Sequence, residues 1–218
     1  MNRFVKYSFF VVASLYVAVV VPVAHAQVAA LNFASAGIST TNLDTVRGYS
    51  FGVTGTGFTA TYLSFYDQGG DGLADAHNIG LWDTTGSLIA SAAVSAGTAN
   101  ALDATGKFRQ VPITPTFLAA GFGYIVGATS LAGSQDNQAT TFVDIRTASN
   151  ISYSTGRFIN GSTPGVLVRP TVANGSGLPG GSFGGFAGNI VTAAPEPASL
   201  ALLAFGAVPI LTRYKRAK

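Results

Sequence analysis

Alternating apolar and polar positions dominate the middle of the chain. Tyr49, Phe51 and Val53 alternate with small or polar residues, as do Leu88, Ala90, Ala92 and Val94, and again Phe122, Tyr124, Val126 and Ala128. A period of two sets one side of a strand on a core and the other toward solvent. The same reading predicts strands over 58–66, 78–82, 108–113, 141–146, 165–169 and 188–192. Clusters of Gly, Asp, Asn and Pro separate these segments at intervals of about ten residues, the spacing of a sandwich or barrel. No long helical periodicity appears between residues 27 and 194, and that region contains no Glu and a single Lys. The prediction is an all-β fold: a single β-sandwich of jelly-roll type over 27–194.

The two ends break this pattern. Arg3 and Lys6 precede an almost wholly apolar run from Phe9 to Val21, which Pro22 ends before Ala24-His25-Ala26. A basic start, a short apolar stretch and small residues at Ala24 and Ala26 make a signal peptide over 1–26, cleaved to leave Gln27 first. This implies the Sec export machinery and signal peptidase as partners. An uncleaved N-terminal anchor is the competing reading.

At the other end, Pro195-Glu196-Pro197 is followed by an apolar run from Leu200 to Leu211, then by Arg213, Lys215, Arg216 and Lys218. The prolines withhold backbone donors and bias their neighbours away from helix, so the tripeptide is expected to be extended and accessible. From Ala198 to Arg213 no charge interrupts about 15 apolar or small residues, against roughly 20 for a comfortable span. Pro209 costs a helical hydrogen bond that membrane helices tolerate better than soluble ones. The basic residues favour a cytoplasmic C-terminus. A buried C-terminal helix is the alternative, but the run is not amphipathic.

This order of parts resembles the PEP-CTERM sorting signal of Gram-negative bacteria. Pro195, Glu196 and Pro197 match its motif; the 198–203 run, Gly206 and the Arg213-Tyr214-Lys215-Arg216 end match its helix and basic tail. The resemblance covers about the last tenth of the chain (195–218). It implies recognition by exosortase, a multi-spanning membrane protease-transpeptidase with a cysteine nucleophile. It also implies an inner-membrane-anchored precursor, production alongside exopolysaccharide machinery, and a final place in the cell envelope, surface or extracellular matrix.

Removing both ends changes the charge picture. The full chain carries +3, but six of its twelve basic residues lie in the signal peptide and tail. Arg47, Lys107, Arg109, Arg146, Arg157 and Arg169 remain against eight aspartates, leaving the mature segment at about −2. The basic pI therefore reports targeting and gives no support to nucleic acid as a partner. With no cysteine, disulfides, thiolate zinc sites and a cysteine nucleophile are excluded. The mature segment is long enough to bury a core without them.

Residues 63–92 carry a second resemblance. Leu63-Ser64-Phe65-Tyr66-Asp67, Gly70-Asp71-Gly72-Leu73, His77, Gly80-Leu81-Trp82-Asp83 and the Leu88 to Ala92 strand look like a segment recurring in bacterial surface β-sandwiches. Those modules are often non-catalytic, and some are related to carbohydrate-binding domains.

Several local motifs bear on chemistry. Gly48-Tyr49-Ser50-Phe51-Gly52 fits G-x-S-x-G, but an elbow needs a strand entering and a helix leaving, and Ser50 sits within an alternating strand. His77 is the sole histidine of the mature segment and is expected to hydrogen-bond at a loop end. Gly175 to Gly180 fits G-x-G-x-x-G without a following helix, so it reads as a loop. Asp67, Asp71 and Asp75 are the candidate metal ligands. Asp67-Gln68-Gly69-Gly70-Asp71-Gly72 matches the start of a calcium loop, yet Gly69 and Asn78 stand where side-chain ligands are wanted. The alternative is a hairpin loop whose aspartates make Asx turns. Trp82 could stack on a sugar, but its place inside a short strand favours a core or inter-sheet role. Asn150, Asn160 and Asn174 read as turn formers.

The expectation is a non-enzymatic, exported surface or matrix protein without a required cofactor, calcium remaining open, and associated with exopolysaccharide. A carbohydrate-binding module with a defined ligand is the alternative, and a secreted serine hydrolase a remote one.

Overall fold

The computed structural model describes residues 27–40, 42–176 and 187–193. The expected signal peptide (1–26) and sorting tail (195–218) lie outside the described residues, as does most of the Gly175–Gly180 motif.

Among the described residues the chain is all-β, with one short 3-10 turn at Gln68–Gly70. The strands are β1 (Gln27–Ala29), β2 (Leu31–Asn32), β3 (Ser35–Ser39), β4 (Thr45–Val53), β5 (Phe58–Tyr66), β6 (His77–Trp82) and β7 (Leu88–Val94). They continue as β8 (Phe108–Leu118), β9 (Gly121–Ser130), β10 (Gln138–Val143), β11 (Arg146–Thr147), β12 (Ile151–Asn160), β13 (Val172–Ser176) and β14 (Gly188–Ala193). A four-stranded sheet has the order β1-β14-β5-β8, and a six-stranded sheet the order β13-β12-β4-β9-β6-β7. Two small ribbons, β10–β3 and β11–β2, complete the pairing.

Alternation builds the core between these sheets. Tyr49, Phe51 and Val53 of β4, Ile79 and Leu81 of β6 and Val126 of β9 share one buried cluster with Leu63 and Phe65 of β5 and Ile190 of β14. Phe51 stacks on Tyr124 with centroids 5.6 Å apart. The Tyr49 hydroxyl donates to Asn189 Oδ1 at 2.6 Å, tying β4 to the opposite sheet. Burial pushes the Tyr49 phenol well above its ordinary pKa, with the neighbouring Tyr153 adding to it. The sheets approach closely at Gly188, where a Cβ would come within 3.1 Å of the Gly127 backbone.

The structure corrects three elements of the sequence reading. Residues 165–169 form no strand; they cross the outer face of the six-stranded sheet, where Leu167 packs on Val46, Trp82 and Ile125. Trp82 is therefore buried in a core position as expected, in a satellite cluster on the outer face and not between the sheets. The strand expected over 141–146 starts earlier, at Gln138, bulges at Thr141 (φ 47°) and breaks at Asp144 (φ 59°) before β11. Most of all, β12 was absent from the alternating pattern, yet it pairs with β4 along that strand's full length.

Antiparallel order puts successive connections at opposite ends of the sandwich. The β4–β5, β6–β7 and β8–β9 turns form one end, called the tip below. The β5–β6, β7–β8 and β9–β10 connections form the other, the cleft end. Gln27 pairs with Ala193, and Ala193 shares a groove of about 340 Å³ with Gly57, Phe58 and Thr59, so β14 finishes at the tip.

Candidate functional site

Three connections meet at the cleft end around a buried Asp–Arg ion pair and a buried His–Asp hydrogen bond. Asp67 follows the last residue of β5, and its Oδ2 accepts from Arg109 Nε at 2.7 Å and from the Gly72 amide at 3.1 Å. Arg109, near the start of β8, also donates to the carbonyls of Gly70 (2.7 Å), Asn100 (2.7 Å) and Thr98 (3.2 Å). One guanidinium thereby holds the β5–β6 and β7–β8 connections together. Its planar fork supplies this many donors in fixed directions.

The second pair is His77 with Asp136. His77 opens β6 and is fully buried, its ring stacked on Phe65 at 3.7 Å between centroids and 7° between planes. Nδ1 lies 2.8 Å from the Thr129 carbonyl oxygen, which only accepts, so Nδ1 carries a proton. Nε2 lies 2.7 Å from Asp136 Oδ2. The Asp136 carboxylate also accepts from the amides of Ala74 and Asp75, each at 2.8 Å.

Between the pairs opens a polar cleft of about 380 Å³, walled by Tyr66, Gln68, Asp71, Gln135 and Asn137. Asn137 Nδ2 donates across it to Gln68 Oε1 at 2.6 Å. Amide and carboxylate groups on this wall suit a hydroxyl-rich ligand.

The predicted metal ligands take separate places here. Asp67 is buried and committed to Arg109, Asp71 is exposed at the rim, and Asp75 is half-buried with its amide on Asp136. Among the described residues, no three His, Cys, Asp or Glu side chains gather as a metal-binding group. The G-x-S-x-G stretch runs straight through β4 with no elbow. Ser50 donates to the Thr155 carbonyl and accepts from Arg157 Nε on the outer face of the six-stranded sheet, whereas His77 faces its inner side. The two do not meet.

Comparison with family models, with curated proteins and with solved structures finds no match to this chain. The reading of the site therefore stands on its geometry. Arg109 and Asp136, which organise it, were not singled out from the sequence. The signal for Arg109 was a cation next to Phe108 at the start of a strand. Nothing local marks Asp136, which lies 59 residues from its histidine.

Two carboxylates are held below the usual aspartate range. For Asp136, burial pushes the pKa up, but hydrogen bonds from His77, Ala74 and Asp75 outweigh it. For Asp83, in the β6–β7 turn, the Thr85 hydroxyl is the main cause, with the Ser87 and Thr85 amides helping. A folded pKa below the unfolded value of about 3.9 contributes stability that is complete above that pH. It is lost as pH falls through the folded value. Urea midpoints are therefore expected to hold steady from about pH 6 to 5 and to drop below about pH 4. A midpoint unchanged down to pH 2.5 would refute this.

The tip has the opposite character. Phe117 and Phe122 are 63% and 75% exposed, more than any other large apolar side chain among the described residues. Their rings lie over the backbone of Gly57 and Gly52, on either side of the β4–β5 turn, where a Cβ would collide with them. They belong to different sheets.

Proposed function

We propose that this chain is an exported, non-enzymatic cell-surface or matrix protein, associated with exopolysaccharide and handed through its C-terminal tail to an exosortase. The observation that carries this reading is the ordered series Pro195-Glu196-Pro197, the apolar run and the basic end. The position of β14 supports it: the last described strand ends at Ala193, two residues before Pro195. We also read the sandwich as a jelly roll. The orders β1-β14-β5-β8 and β4-β9-β6-β7 support that form, with β10–β13 as an insertion that widens the second sheet.

The polar cleft favours a second reading, a module that binds a defined carbohydrate. Binding of the producer's own polysaccharide, lost on Asn137→Ala, would speak for it. Calcium remains compatible with exposed Asp71 but has no assembled ligand set among the described residues.

Intact mass of the protein from a host with active exosortase tests the leading reading. The wild-type product is expected to start at Gln27 and to lack the basic tail. Glu196→Ala should leave export and folding unchanged while a full-length, membrane-bound precursor accumulates. A wild-type product that keeps Lys218 in that host would overturn the assignment.

A further inference from the structure

We propose that the tip bearing Phe117 and Phe122 rests on the bilayer surface while the precursor is still anchored. The inference rests on the membrane reading of the tail and adds an orientation and a lipid contact to it. Three observations carry it.

The first is reach. Ala193 lies at the tip, and seven residue steps separate it from Leu200, where the apolar run begins. At ~3.6 Å per step, the connection spans at most about 25 Å. An anchored chain therefore holds the tip close to the membrane and the cleft end about one strand length farther away.

The second is chemistry. The most exposed apolar rings of the described residues both lie at this end, with Ala119 and Ala120 exposed on the turn between them. Glycine beneath each ring keeps it raised on backbone instead of sunk among side chains. Amphipathic surfaces with protruding aromatics partition into the headgroup boundary.

The third is charge. At the cleft end Asp67 and Asp136 are buried against Arg109 and His77 and Asp103 is buried, so Asp44, Asp71 and Asp75 are the surface carboxylates of its connections, with Lys107 the cation beside them. The tip holds Asp83, with Arg169 lying against Gly86 in the same turn. An anionic bilayer repels the acidic end and so favours the same orientation.

The chain lacks cysteine, so a single introduced thiol can be spin-labelled without background. The full chain would be reconstituted into phosphatidylethanolamine–phosphatidylglycerol vesicles with a nitroxide at Phe117→Cys, Phe122→Cys, Asp71→Cys or Leu203→Cys. Collision with oxygen relative to a water-soluble nickel chelate reports lipid contact. The ratio at positions 117 and 122 is expected to exceed that at 71 severalfold. With the label at Ala119→Cys, the combined change Phe117→Ser and Phe122→Ser should lower the ratio to the level of position 71.

Lipid contact at 203 together with bulk-water values at 117 and 122 would overturn the tip contact and leave the tail reading intact. Bulk water at 203 would overturn the tail reading, and this proposal with it. Shielding at 117 and 122 that persists without vesicles would assign the tip to a second copy of the chain and likewise overturn it.

Discussion

Replacing Arg109 by alanine is expected to cost about 3–5 kcal/mol of folding stability, the range for breaking a buried ion pair from one side. The Arg109 and Asp67 side chains are only 5% and 2% exposed. Without the guanidinium, the Asp67 carboxylate stays buried with the Gly72 amide as its remaining donor from the β5–β6 loop. The carbonyls of Gly70, Asn100 and Thr98 lose the donors that pull two connections together. A domain of ordinary stability holds about 5–15 kcal/mol in all, so the variant should approach marginality. Arg109→Lys should recover only part of the loss, because a point charge cannot reach four acceptors as a planar fork does. Urea denaturation of both variants decides the matter. A loss under 1 kcal/mol for Arg109→Ala would mean that water replaces the guanidinium and that the cleft end is not held by it.

The second large effect is expected at Asp136. Asp136→Ala leaves Nε2 of the fully buried His77 and the amides of Ala74 and Asp75 without their carboxylate partner. An unsatisfied buried polar group costs about 1–3 kcal/mol before relaxation, and water can reach the amides of exposed Ala74 and half-buried Asp75, so a loss of about 1–3 kcal/mol is expected. Asp136→Asn keeps an acceptor oxygen but loses the charge and should fall between the wild type and Asp136→Ala. Once Asp136 has become Asn, the fall in urea midpoint below about pH 4 should also shrink, since one of the depressed carboxylates has gone. A double-mutant cycle with His77→Phe isolates the pair. Coupling near zero would show that Asp136 acts only through the two loop amides, and would sink the assigned role of the His77 contact.

Strands with clean alternation were legible in the sequence because one of their faces meets a continuous core. Segments 58–66 and 88–94 match β5 and β7 in extent, and β6 and β14 differ from the reading by one residue each. β12 escaped because its two faces serve different neighbours. Ile151 and Tyr153 pack on the main core, Arg157 contacts Ser50, and Ile159 joins the Trp82 cluster, with a register shift between Tyr153 and Thr155 that resets the alternation. The 165–169 run alternates like a strand, yet Gly165 turns at φ 70° and Leu167 finds its core on the outside of a sheet already formed. Periodicity records that a face is buried, not which surface buries it.

The sequence by itself determined the fold class, most of the large-sheet strands and the two targeting expectations, since each is written in neighbouring residues: alternation, an Ala-x-Ala site, and an apolar run between prolines and basic residues. What gathers at the ends of the sandwich was decided only in three dimensions. Asp67 meets Arg109 across 42 residues, His77 meets Asp136 across 59, and Tyr49 reaches Asn189 across 140. No local pattern encodes such partners, because a buried charge is satisfied by whichever opposite group the topology brings within hydrogen-bonding distance. The same holds for Phe117 and Phe122. As sequence they look like core aromatics; the turns that end their strands, and the glycines beneath their rings, leave them in the open.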